Sequence, residues 1–179
     1  MQEVSDAFLL NMAEVSGALV GLFLVGVFYF VDRGLERLHR SGRVLGPYFR
    51  AGTRIVLVLF AMSLLVSLTL VVLEPGWSRL LFALLSVMAL AANVDTLRQI
   101  RAVVRVTRST ALLVNELVGT AAVIVIVVLP WALGGLHPSR GDLTWAILLS
   151  FTTALLSVYA LVLSAFDISR FEAAAGNDR

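Results

Sequence analysis

The stretch IVLVLFAMSLLVSLTLVVL, residues Ile55–Leu73, decides how this chain is read: it holds 19 consecutive residues without a charge. A helix needs about 20 apolar residues to cross a ~30 Å hydrocarbon layer, so this segment has the length and composition of a membrane span. Four further runs share the property. Val15–Val31 holds 17 uncharged residues, Leu80–Val94 holds 15, Leu117–Leu136 holds 20 and Leu143–Phe166 holds 24. The chain of 179 residues is 59% hydrophobic and 15% charged, with a mean hydropathy of +0.93. Soluble domains carry roughly 45–50% apolar and about 25% charged residues, and a chain this short has no interior that could hide the excess. The sequence therefore reads as an all-α integral membrane protein forming a single membrane domain, 1–179. Its five transmembrane helices cover approximately 12–31, 55–73, 78–94, 111–131 and 143–166, with basic loops at 32–54 and 95–110.

The third run is the shortest. Trp77 and Ser78 extend it outward and Arg79 can reach the headgroups with its long stem, so a full crossing is favoured over a re-entrant segment. The fourth run is Val- and Ile-rich from Val123 to Val128, a composition that suggests a strand in water. In lipid the backbone must satisfy its own hydrogen bonds, which a lone strand cannot do, so this run too reads as helix. Pro130 should end or kink it by clashing with the carbonyl of Ile126, and Gly134-Gly135 should make the turn. Gly46-Pro47 and Pro75-Gly76 are expected to punctuate the first two connections.

Orientation follows from arginine, since all 14 basic residues are Arg. Arg33, Arg37, Arg40, Arg43, Arg50 and Arg54 fall in the first basic loop, Arg98, Arg101, Arg105 and Arg108 in the second, and Arg170 and Arg179 in the tail. Only Arg79 and Arg140 lie on the other side, a split of twelve to two. Positive loops stay inside, which places the N-terminus outside and the C-terminus in the cytoplasm, as an odd number of spans also requires. Trp77, Trp131 and Trp145 all fall at the outer boundary, where indoles sit among headgroups. In the first span the basic residues follow the apolar stretch, so it reads as an uncleaved anchor and not as a signal peptide. Exclusive use of Arg with heavy Ala, Val, Leu and Gly loading matches the codon usage of a GC-rich prokaryotic genome, hence its plasma membrane.

Membrane helices associate where small residues let backbones approach. Ala13, Gly17 and Gly21 recur every fourth residue in the first span. The fifth carries Ala146, Ser150, Thr153, Ser157, Ala160 and Ser164 as one stripe; Ser63 and Ser67 in the second span, and Ala83, Ser86 and Ala89 in the third, do the same briefly. These stripes read first as packing surfaces and second as the lining of a polar pathway.

Ionisable groups within a membrane are costly and so mark candidate sites. Glu14 and Glu116 qualify. Glu14 lies 19 residues before Arg33, about 28 Å along a helix, and so sits at the outer boundary. Glu116 follows Arg108 by eight residues, close to the inner boundary. Both fall in early helical turns, where a carboxylate complements the helix dipole; a place at the mouth of a pathway is the sharper reading. Asn11 precedes Glu14 and Asn115 precedes Glu116, with Gly17 and Gly119 three residues after each acid, a faint trace of an inverted repeat.

No charge or histidine falls near a midplane, which disfavours ion-coupled transport. Cysteine is absent, His39 and His137 stand alone, and no nucleophile elbow, metalloprotease helix or phosphate loop is present. We therefore expect no enzyme, cofactor or metal.

Arg98, Arg101, Arg105 and Arg108 step by three, four and three, falling in one sector of a helix that either continues the third span or lies in the headgroups. Arg33, Arg37 and Arg40 repeat the device below the first span, until Ser41-Gly42 breaks it. Both sets suit an anionic inner leaflet or an acidic partner, and nucleic acid is disfavoured at a surface crowded with competing phosphates. The favoured function is an oligomerising or accessory helix bundle that binds its own copies or another membrane protein. The alternative is a small homo-oligomeric channel lined by the first helix. It would have Glu14 at the outer mouth, Gly17 and Gly21 facing the pore, and Phe23, Val27 or Phe30 as an apolar gate above Arg33 and Arg37.

Overall fold

The computed structural model describes residues 4–41, 45–107 and 110–177. These form five helices and, among the described residues, no strand: α1 (Asp6–Ser41), α2 (Leu45–Val72), α3 (Pro75–Thr107), α4 (Thr110–Gly134) and α5 (Arg140–Asn177). Each contains a segment long and apolar enough to cross a membrane: Asp6–Tyr29, Arg50–Val72, Gly76–Arg98, Leu117–Gly134 and Arg140–Val162. The third segment is a continuous 23 residues, long enough for a full crossing.

One open reading is decided and two local expectations need correction. The basic segments at 32–54 and 95–110 are mostly helix: α1 runs on to Ser41, α2 starts at Leu45 and α3 runs on to Thr107. Their arginine spacing of three and four is compatible with helix, and no Gly or Pro interrupts 95–107. Gly46-Pro47 lies inside the first turn of α2, where a missing N–H is harmless because that turn's amides have no intrahelical acceptor. Pro130 does not end α4, which continues for one more turn to Gly134. The stop is made by Gly135, whose φ of 60° is a left-handed conformation that a side chain resists, and whose N–H donates to the Trp131 carbonyl at 2.9 Å.

The start of α5 is set by reciprocal capping. Ser139 donates its backbone N–H to Asp142 Oδ2 at 2.8 Å, and the Asp142 N–H donates back to Ser139 Oγ at 3.3 Å. Ser139-x-x-Asp142 is thus a capping box that pins the short α4–α5 turn. Pro75 opens α3 at the first helical position, which suits its fixed φ.

Helices α2, α3, α4 and α5 close a ring in which each touches the next and α5 returns to α2; α1 packs on the outside, against α2. Specific contacts give the register. Gly52 meets Leu161 and Ser63 meets Ser150, eleven residues up α2 and eleven down α5. Between α3 and α4, Phe82 meets Trp131 and Asn93 meets Thr120, again eleven residues apart on each helix. These neighbours therefore run antiparallel without slippage. One buried apolar cluster joins the helices: Leu9 of α1, Val56, Phe60, Met62 and Val66 of α2, Phe82 and Ala89 of α3, Val123 and Ile126 of α4, and Ala146 and Ile147 of α5. Phe60 and Phe151 meet edge to face, with centroids 6.1 Å apart. Helix α2 buries the largest share of its span, 39%, because it touches three neighbours; α1 and α4 bury only 17%.

Candidate functional site

One helix end of the bundle carries the C-termini of α1, α3 and α5 and the N-termini of α2 and α4; this is the arginine-rich end. The two arginines at the opposite end each have a structural partner. Arg79 donates from Nε to the Pro138 carbonyl at 3.1 Å and approaches His137 Nδ1 at 3.4 Å, holding the α4–α5 turn against the start of α3. Arg140 pairs with Asp6, tying the start of α5 to that of α1. Neither link was legible in the sequence, because both join segments more than 50 residues apart.

The small-residue stripes divide by place. Ser63 and Ser150 hydroxyls are buried 2.9 Å apart, and both reach the Ile147 carbonyl at 2.9 Å. Ala146 is buried with them; Thr153, Ser157 and Ala160 are half-buried further along, and the Ser164 side chain lies outside the described residues. Ser67, Ser86 and Ala89 are buried and Ala83 is half-buried. Of these, the Ser63–Ser150 pair marks a close contact between α2 and α5. Asn93, 5% exposed, accepts from Thr120 Oγ1 at 3.3 Å and joins α3 to α4 in the same way.

The first helix differs. Leu9, Ala13 and Ser16 are buried and Val20 and Phe23 half-buried, a face with steps of four and three that packs on the bundle. On the other face Asn11, Glu14, Ala18, Gly21, Val25 and Phe28 are all exposed, at steps of three, four, three, four and three. The expected Ala13–Gly17–Gly21 ridge is therefore split. Ala13 packs inward, a Cβ at Gly17 would lie 3.7 Å from Leu64 Cδ1, and a Cβ at Gly21 would meet nothing within 4 Å. Phe23 packs on the core and Val27 is half-buried, so neither shares the exposed face that bears Glu14. Phe30 lies in α1 with its side chain outside the described residues. Glu14 borders an open groove of about 460 Å³ between α1 and α2, lined also by Leu10, Gly17, Ala18 and Leu64.

Asn115 and Glu116 belong to α4, and Arg33, Arg37, Arg40, Arg101 and Arg105 to the extensions of α1 and α3; their side chains lie outside the described residues, and Arg108 lies outside them altogether. Arg98 is exposed. Among the described residues no three His, Cys, Asp or Glu side chains gather to hold a metal. The described fold and sites define an all-helical bundle with five helices of membrane-spanning length. No protein family, curated protein or solved structure matches the chain, so its function rests on this geometry.

Proposed function

We propose that the chain is a multi-pass membrane protein, arginine-rich end in the cytoplasm, that acts without catalysis as an oligomerising or accessory bundle through the outer face of α1. The observation that carries this reading is the exposed row Asn11–Glu14–Ala18–Gly21–Val25–Phe28. Its alternating three- and four-residue steps are those of a helix seam, and the small residues at its centre allow close backbone approach. Leu22 and Val25 leave 69% and 68% of their surface uncovered, an exposure that water penalises and lipid does not. A carboxylate at the end of such a row adds a polar contact that a partner helix can satisfy.

The chain has no cysteine, so single cysteines report cleanly. Ala18→Cys, on the exposed row, should form a disulfide-linked oligomer on oxidation in detergent or liposomes, whereas Ala13→Cys, on the inward face, should not. A monomer by mass with no Ala18→Cys crosslink, in the presence and absence of native membrane extract, would sink the reading. The channel remains the second reading, favoured by Asn11 and Glu14 lying on that same exposed row. Its gate would then be Val25 or Phe28. Ion flux in liposomes that is unaltered by Glu14→Gln would exclude it.

A further inference from the structure

We propose that Arg50 and Arg98 form a binding site for the phosphate of an anionic phospholipid between α2 and α3. The proposal rests on the membrane-spanning part of the reading above and not on oligomerisation. Its starting point is the ion pair of Arg54 with Asp95, at 3.5 Å, which sets the register of α2 on α3 at the arginine-rich end. The two helices are antiparallel neighbours, so the turn beyond that pair carries Arg50, four residues before Arg54, and Arg98, three residues after Asp95. At about 1.5 Å per residue they lie about 6 and about 4.5 Å beyond the pair, at nearly one level. Steps of four and three keep each on the helix sector of its paired neighbour. Both side chains are exposed.

Depth and charge agree with this assignment. The apolar part of α2 begins at Arg50 and that of α3 ends at Arg98, so the two guanidinium stems start at the edge of the apolar belt. That edge is where phospholipid phosphates lie. Asp95 engages Arg54, and among the described residues neither Arg50 nor Arg98 has an ion-pair partner. Guanidinium forks match phosphate oxygens bidentately, and two of them from adjacent helices can clasp one phosphodiester. A lipid fits better than a free phosphate because of what lies above Arg98. Val94, Leu90 and Val87 follow at steps of four, four and three along α3 toward the membrane centre, and all are exposed, giving an acyl chain an apolar track leading away from its headgroup.

The test is native mass spectrometry of the full chain in neutral detergent supplied with phosphatidylglycerol and phosphatidylcholine. Without a bilayer the long-range surface potential is gone, so only a held lipid survives. Wild type should retain phosphatidylglycerol over phosphatidylcholine. Arg50→Gln with Arg98→Gln should reduce that retention on the order of tenfold. Arg170→Gln with Arg179→Gln, which removes two charges from the C-terminal tail at the same end, should leave it unchanged. Arg50→Lys with Arg98→Lys keeps the charge without the forks; it should show an intermediate loss, and it serves if the Gln pair does not fold. No lipid preference in wild type, full retention in both Arg50/Arg98 variants, or equal loss in the tail control would overturn the site. Complete displacement by millimolar glycerol phosphate would overturn the lipid in favour of a soluble phosphate ligand. A monomeric spectrum that still carries phosphatidylglycerol would refute the oligomer while supporting this site.

Discussion

Replacing Gly134 with alanine tests how the α4–α5 turn is held. A Cβ at this position would lie 2.6 Å from Asp142 Oδ2, 3.1 Å from Pro138 Cβ and 3.3 Å from Ser139 N. Asp142 is 8% exposed, and Oδ2 accepts from both the N–H and the hydroxyl of Ser139, at 2.8 and 2.7 Å. The carboxylate therefore cannot retreat without giving up the cap of α5. Losing a helix cap costs about 1 kcal/mol, and overpacking a tight site costs about 1–3 kcal/mol. Alanine recovers at most about 1 kcal/mol over glycine in helix propensity, and less at the final turn. The net expectation is a destabilisation of about 1–3 kcal/mol, read from the midpoint of an SDS titration in mixed micelles followed by circular dichroism. The decisive control is the cycle with Asp142→Ala, which removes the oxygen that the new methyl group strikes. Gly134→Ala should then cost about 1 kcal/mol or more less than it does in wild type. An equal cost in both backgrounds would show that the Asp142 contact does not explain why glycine stands at 134.

Gly21→Leu points into open space in its own chain and should leave protomer stability within about 0.5 kcal/mol. The same change should abolish the α1-mediated oligomer in crosslinking and mass measurements, and an oligomer that survives it would move the interface elsewhere. Ser63→Ala removes a buried hydroxyl between α2 and α5, but Ser150 keeps the Ile147 carbonyl as acceptor. Its cost should be about 0.6 kcal/mol in SDS unfolding, with a loss above about 2 kcal/mol indicating a wider polar network. Asp95→Asn breaks an ion pair whose side chains are 60% and 42% exposed, so stability should change by less than about 1 kcal/mol over a range of salt.

Much of this architecture was readable from the chain itself. Five uncharged runs sufficed to locate five helices, and the run at Val123–Val128 was correctly assigned against its strand-like composition. Helix ends were read less well. Pro130 does not end α4 and the expected Gly134-Gly135 turn does, since a proline near the end of a helix removes a single bond while a left-handed residue cannot continue the spiral. The capping box at Ser139 and Asp142 is written in the sequence as Ser-x-x-Asp after a proline, but that pattern is short and common, and its geometry shows only in the fold. The arginine steps of three and four already indicate helix below the first and third spans, and α1 and α3 do run on to Ser41 and Thr107; that they continue the spans and do not form separate segments is decided by the structure.

The sequence by itself determined how many helices there are and which ends carry the arginines. Each such helix satisfies its own backbone hydrogen bonds, so length and charge decide its existence without reference to neighbours. Only the tertiary structure decided that α1 stands outside the ring, that Ala13 faces inward while Gly21 faces out, and that Arg50 and Arg98 share a level. The physical reason is that helix interiors and lipid are equally apolar. A membrane helix therefore shows little contrast between its packed and exposed faces, and small residues serve close packing on either. Which face meets a neighbour is settled by the fit of whole helices against one another, and that fit is not written in any single one of them.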